Sequence, residues 1–173
     1  MVQTQAITFE RVRLHPAFRV LGAGDRRALA RHLCKLPFTQ RQDRFHRWAS
    51  DDAIRAHCDG LDFGATDTGI AALSNEDAII GTAIAYRLMR AENVEIAVTV
   101  DMAQVGRMPV IPAMLAHLAN TLVADAAVFL LAPAEMELRS LLRGRGAVFD
   151  GDDGEARLPV GALRFSGSAG HGG

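Results

Sequence analysis

Apolar residues recur at two spacings along the chain, every second position in some stretches and every third or fourth in others, and the two periods mark strands and helices. Over positions 7–14, Ile7, Phe9, Val12 and Leu14 alternate with polar residues apart from one slip, which predicts a first strand that Gly22 and Gly24 break. In 25–37, Ala28, Leu29, His32, Leu33 and Leu36 recur at helical spacing, with Asp25 placed to cap the helix and Pro37 to stop it. Arginine and glutamine dominate 38–47, and Arg41, Arg44 and Arg47 at every third position read as one basic, solvated helix face. Ser50, Asp51 and Asp52 then cap a second helix with Ile54, Cys58 and Leu61 on one side and Gly60 near its end.

From here the period changes. Positions 68–73, 78–89 and 94–100 are β-prone runs, separated by polar turns at 74–77 and 90–93 short enough for hairpins, so an antiparallel meander is expected. Positions 109–123 return to helical spacing through Ile111, Met114, Leu115, Leu118 and Leu122, with Pro109 and Pro112 in the first turn, where a missing amide hydrogen costs least. An apolar strand at 128–131 precedes a helix at 135–143 with Leu138, Leu141 and Leu142 inward, which Gly144 and Gly146 end. Positions 147–149 and 155–160 close as a hairpin across the Asp/Gly turn between them, and the Gly/Ser-rich 166–173 is expected to fray. The pattern predicts an α/β (α+β) protein: one domain over 1–165, a mixed, mostly antiparallel sheet of six to seven strands and about four helices.

Composition narrows the partners. Among 173 residues, 49% are apolar and 23% charged, enough to bury a sizeable core. The formal charge is −1 and Lys35 is the only lysine, so there is no cationic excess for a nucleic acid backbone. The longest apolar run, 126–132, is far shorter than a membrane span of about 20 residues. The first residues lack the basic and apolar halves of a secretory signal, so the expected location is cytoplasmic. Cys34 and Cys58 are isolated and read as free thiols, Cys58 packed inside. The histidines at 15, 32, 46, 57, 117 and 171 never fall at i, i+4 spacing, so no metal site is expected; His32 and His117 read as partly buried helix residues.

The predicted order of elements, the run Glu95-Ile96-Ala97-Val98-Thr99-Val100, the following Asp101-Met102-Ala103 and the Gly106-Arg107 pair opening a helix together resemble the Gcn5-related N-acetyltransferases (GNAT) over roughly 7–160. The resemblance implies that the fourth and fifth strands splay apart around an acyl-coenzyme A, acetyl-CoA above all. Backbone groups of Val98, Thr99 and Val100 would then pair with its pantetheine amides, and the loop with Gly106, Arg107, Met108 and Val110 would receive its pyrophosphate. It further implies that Glu95 is the base and that the acceptor is a small-molecule amine or a protein lysine. Two departures stand out. Aligned without a gap from Glu95, Met108 and Val110 occupy places where the family has glycine, whereas a motif started at Gln104 retains the first residue only; and the tyrosine that usually acts as acid on the last helix is missing, Tyr86 being the sole tyrosine. Pro109 and Pro112 also each lack an amide hydrogen. These departures keep a second reading open: a catalytically inactive binding or regulatory domain of this fold that has lost normal coenzyme A binding. Pairing of two copies through exposed sheet edges is compatible with either reading.

Overall fold

The computed structural model describes residues 16–88, 92–101, 110–150 and 154–164. Its strands are β1 (Ala17–Val20), β2 (Asp67–Leu73), β3 (Ile79–Arg87), β4 (Asn93–Val100), β5 (Ala126–Leu130), β6 (Val148–Asp150) and β7 (Glu155–Pro159). The helices among the described residues are α1 (Arg26–Lys35), α2 (Phe38–Phe45), α3 (Asp51–Asp59), α4 (Val110–Thr121) and α5 (Met136–Gly144). All strands join one sheet in the order β1-β2-β3-β4-β5-β7-β6. Every neighbouring pair is antiparallel except β4 with β5, so the sheet is mixed and mostly antiparallel as the sequence pattern predicts.

Alternation along the central strands gives the sheet two apolar faces. Ala83, Ala85, Val94 and Ile96 meet Met114, Leu115 and Leu118 of α4, while Ala71 and Ile84 meet Leu29 and Leu33 of α1 and Ile54 and Cys58 of α3. The small residues of β3 let helices approach closely. A Cβ at Gly81 would lie 3.2 Å from the Thr99 carbonyl oxygen and 3.3 Å from Met114.

Three sequence expectations need correction, and the predicted strand at 7–14 lies outside the described residues. First, β1 forms at Ala17–Val20, a stretch with no alternating pattern, because only Phe18 turns inward; its ring stacks on His117 of α4 with centroids 4.8 Å apart. His117 is accordingly an exposed residue under a ring and not a partly buried one. Second, Phe38–Phe45 forms a helix of its own, so among the described residues three helices precede the meander where the pattern counts two. Its arginines do not form one solvated face, since Arg41 donates to the Leu36 and Cys34 carbonyls and pairs with Asp51, and Arg44 donates to the Tyr86 hydroxyl. Third, Asp25 does not cap α1. Its carboxylate accepts the Gly22 N–H at 2.9 Å and pairs with Arg19 at 2.8 Å, tying β1 to the turn that follows. Cys34 and Cys58 are free thiols, and burial pushes the Cys58 thiol up to about 11. No helix among the described residues is long and apolar enough to cross a membrane.

Candidate active site between the diverging strands

β4 and β5 pair over only three positions, Asn93↔Ala126, Val94↔Ala127 and Glu95↔Val128. Beyond Glu95 they part. β4 continues against β3 to Val100, and β5 continues against β7 to Leu130. Three contacts lead β5 away. The Ala132 N–H donates to Glu135 Oε2 at 2.7 Å, Arg139 Nη2 donates to the Leu131 carbonyl at 2.8 Å, and the Leu131 N–H donates to the Gly154 carbonyl at 2.9 Å. Gly154 permits this approach: its φ is +75° and a Cβ there would sit 2.4 Å from the Leu131 oxygen.

The open side of β4 carries unpaired backbone. In an antiparallel ladder, residues alternate between bonding to the partner and pointing away from it. The Asp101 N–H donates to the Ile80 carbonyl at 2.8 Å, and the register from Gly81↔Val100 to Arg87↔Val94 is unbroken. Glu95, Ala97 and Thr99 therefore bond toward β3; on the other edge the Ile96 N–H closes the parallel ladder on the Val128 carbonyl, and the backbone groups of Val98 and Val100 face the gap. The Glu92 carbonyl, in phase with those three, accepts from Asp125 and Ala126 on the β5 side, as this phase requires.

A cleft of about 540 Å³ opens on this edge, with Val98, Thr99 and Val100 on one wall, 134–138 at the start of α5 on another, and Asp43 and Arg44 of α2 above. At its apex lies a small recess of about 20 Å³ lined by Glu95, Leu130 and Leu131 among others. Glu95 is half-buried and stands directly opposite Tyr86 of β3, on the sheet face covered by α1–α3. The Tyr86 hydroxyl accepts from Arg44 and lies 3.3 Å from His57 Nε2. Burial pushes the Tyr86 phenol up; burial and then the Arg44 charge hold His57 down. The half-buried Glu135 carboxyl is held up by burial, with the Asp43 charge adding to it against the Ala132 N–H, Arg139 and Arg44.

Of the residues singled out by resemblance, Val98 and Val100 turn their backbone to the cleft, whereas Thr99 turns its backbone to β3. Gly106, Arg107 and Met108 lie outside the described residues. Val110 opens α4 with its side chain buried in the core, so only its backbone is placed to meet a ligand. The Thr99 hydroxyl is engaged from behind, 2.8 Å from that of Thr82 and 3.2 Å from His32 Nε2, while His32 Nδ1 lies 3.1 Å from the Ile79 carbonyl. A carbonyl only accepts, so Nδ1 carries a hydrogen, and in the neutral ring that burial favours Nε2 accepts from the Thr99 hydroxyl.

Burial, the largest cause, holds His32 below its ordinary 6.5. The unfolded chain therefore takes up the proton first as pH falls, and the stability carried by the neutral ring is complete above 6.5 and lost below it. His57 acts in the same direction. The melting temperature is expected to fall between about pH 7.5 and about pH 5, and His32→Gln, although less stable overall, to flatten that dependence. A wild-type melting temperature constant across this window would contradict the neutral-ring assignment.

No family model matches the sequence, and no curated protein matches it. Solved structures do. The GNAT domain of S. lividans PAT superposes with a TM-score of 0.63 at 19% identity, covering 82% of this chain and 88% of that one. Spermidine N-acetyltransferase from Vibrio cholerae, in complex with CoA and spermine, gives 0.60 at 12% identity, covering 85% and 96%. The phosphinothricin acetyltransferase of Sinorhizobium meliloti, in complex with AcCoA, gives 0.61 at 18%, covering 83% and 88%. The fold is that of the Gcn5-related N-acetyltransferases.

Within this GNAT fold, sequence reasoning missed Asp43, Arg44 and Glu135. Arg44 was hidden in a run of arginines that reads as solvated surface, and Glu135 in a position where an acidic residue ordinarily serves a helix N-terminus. The one available signal for Glu135 was its place immediately after the apolar strand at 128–131, where that strand and the next helix must turn.

Proposed function

We propose that this chain is an N-acyltransferase that moves an acetyl or similar acyl group from an acyl-CoA to an amine by direct attack. The carrying observation is the backbone of Val98 and Val100, without a partner strand among the described residues, along a cleft open enough for an extended arm. Such an edge accepts an amide-bearing chain as a substitute strand, which suits pantetheine. The neighbours in complex with CoA or AcCoA support the co-substrate, and the spermidine and phosphinothricin acetyltransferases support an amine acceptor. In this reading Glu95 takes the proton that the attacking ammonium must lose, directly or through water, from the recess beside the thioester. The main contribution of the protein is orientation, since Val98 and Val100 fix the donor while the recess, with room for about one water, sets Glu95 beside the attacking nitrogen. The inactive-domain reading is favoured by Met108 and Val110 in place of loop glycines.

Proline substitutions along β4 separate the readings. Val98→Pro removes an amide hydrogen aimed at the cleft, a placement that proline tolerates in strands, and is expected to leave a folded protein with about tenfold weaker acetyl-CoA binding. Thr99→Pro removes a hydrogen bond to β3 and is expected to abolish cooperative melting. Titration of wild type and Val98→Pro with acetyl-CoA, with thiol release measured across small amines and lysine peptides, makes the test. No binding of acetyl-CoA by the wild type would remove the transferase and favour the inactive domain that has lost coenzyme A; binding without turnover on any amine would keep the ligand and remove the reaction.

A further inference from the structure

The neck between the wide cleft and its apical recess is bounded by the residues that line both, Asp43, Arg44, Val98, Glu135 and Leu138. On the acyltransferase reading, upon which this inference rests, the thioester lies at that neck. The pantetheine arm fills the wide part against Val98 and Val100, and the amine nitrogen meets the thioester on the Glu95 side, where the recess has room for about one water to relay its proton. The sulfur then leaves toward the wide part, along the wall where α5 begins. We infer that Glu135 protonates the departing thiolate, filling the role for which α5 carries no tyrosine.

Three observations converge on this group. Its carboxyl is oriented, because Oε2 accepts the Ala132 N–H at 2.7 Å, which leaves Oε1 to carry a proton. Glu135 and Glu95 stand on opposite walls of the gap, one leading α5 and one on β4, so a donor and an acceptor of protons flank the same point. Burial, the largest influence on Glu135, keeps its proton on to higher pH than an exposed carboxyl would. The charges around it are Asp43 and Arg44 from α2 with His46 just after it, Glu95 from β4 and Arg139 on its own helix. Tyr86 is not an alternative donor here, because its hydroxyl is engaged by Arg44 and His57 and it does not line the cleft.

The step balances. The amine lone pair forms the C–N bond, the C–S bond breaks with its electron pair going to sulfur, and the Glu135 proton goes to sulfur to give the free thiol. The ammonium first gives one proton to solvent through Glu95, the second proton passes from nitrogen to Glu95 as the C–N bond forms, and afterwards Glu95 releases its proton to solvent and Glu135 is recharged from it. Thioester and amine become amide and thiol.

The test is the pH profile of kcat and KM for wild type, Glu135→Gln and Asp43→Asn, with acetyl-CoA and an accepted amine. Glu135→Gln keeps an oxygen for the Ala132 N–H but has no proton to give. It is expected to lower kcat about 10²-fold with KM for acetyl-CoA within about twofold, and to erase the falling alkaline limb of the wild-type profile. Asp43→Asn removes a charge that holds the Glu135 carboxyl up, so it is expected to move that limb to lower pH, a shift that carries the test if Glu135→Gln does not fold. Wild-type kcat and profile in Glu135→Gln, or a wild type without a falling limb, would overturn the role of Glu135 while leaving the transferase standing. A wild type that acylates no amine would overturn both.

Discussion

Glu95→Gln is expected to lower kcat for amine acylation by about 10²-fold at neutral pH while changing the Kd for acetyl-CoA by less than about twofold. Glu95 is the last residue of β4 in register with β5, at the point where the gap begins, and its half-buried side chain lines the recess beyond it. Its backbone bonds toward β3, so the isosteric amide leaves both the ladder and the cleft-facing groups of Val98 and Val100 intact. Glutamine keeps the hydrogen-bonding shape and loses the capacity to accept a proton, so binding and chemistry separate. Steady-state kinetics with a parallel titration of acetyl-CoA make the comparison. An unchanged kcat would remove Glu95 from the mechanism and return it to the role of a strand residue at a hairpin end.

Phe129→Ala is expected to cost about 3–5 kcal/mol of stability, which for a chain of this size is roughly 6–20 °C in melting temperature. Phe129 is wholly buried on β5, in the cluster shared with α4 and α5. It lies one position past the last β4–β5 pair, so it holds β5 in place where neither Glu95 nor Val128 continues the ladder. A cavity there loosens the strand that delivers the 131–135 turn, and with it Glu135. Thermal or urea unfolding measures the effect; a loss below about 1 kcal/mol would mean that the neighbours collapse into the space.

Local periodicity made most of the fold legible. The meander, α4, α5 and the terminal hairpin each announce themselves through a run of apolar residues at one spacing bounded by turn residues. β1 did not, because an edge strand with a single inward residue, Phe18, has no alternation to show. Phe38–Phe45 showed only a basic helix face with no apolar stripe to count, and that face read as solvated because the partners of the Arg41 and Arg44 guanidinium groups lie outside the helix. For the site, β4 was legible as a strand, and the resemblance pointed to its backbone. Which residues of it face the gap is a matter of phase against β3, which becomes available only when Asp101 is seen bonded to Ile80. Glu135 and Asp43 meet only across the cleft, 92 positions apart in the chain, and no local pattern marks such a meeting.

Hydrogen exchange of the β4 amides, with and without acetyl-CoA, tests the central claim most directly. Without ligand, the amides of Val98 and Val100 are expected to exchange faster than those of Ile96, which bonds to β5, and of Ala97 and Thr99, which bond to β3, and saturating acetyl-CoA is expected to protect Val98 and Val100 selectively. Uniformly slow exchange along β4 before any ligand is added, or a profile that acetyl-CoA leaves untouched, would contradict an open strand edge that receives the acyl donor.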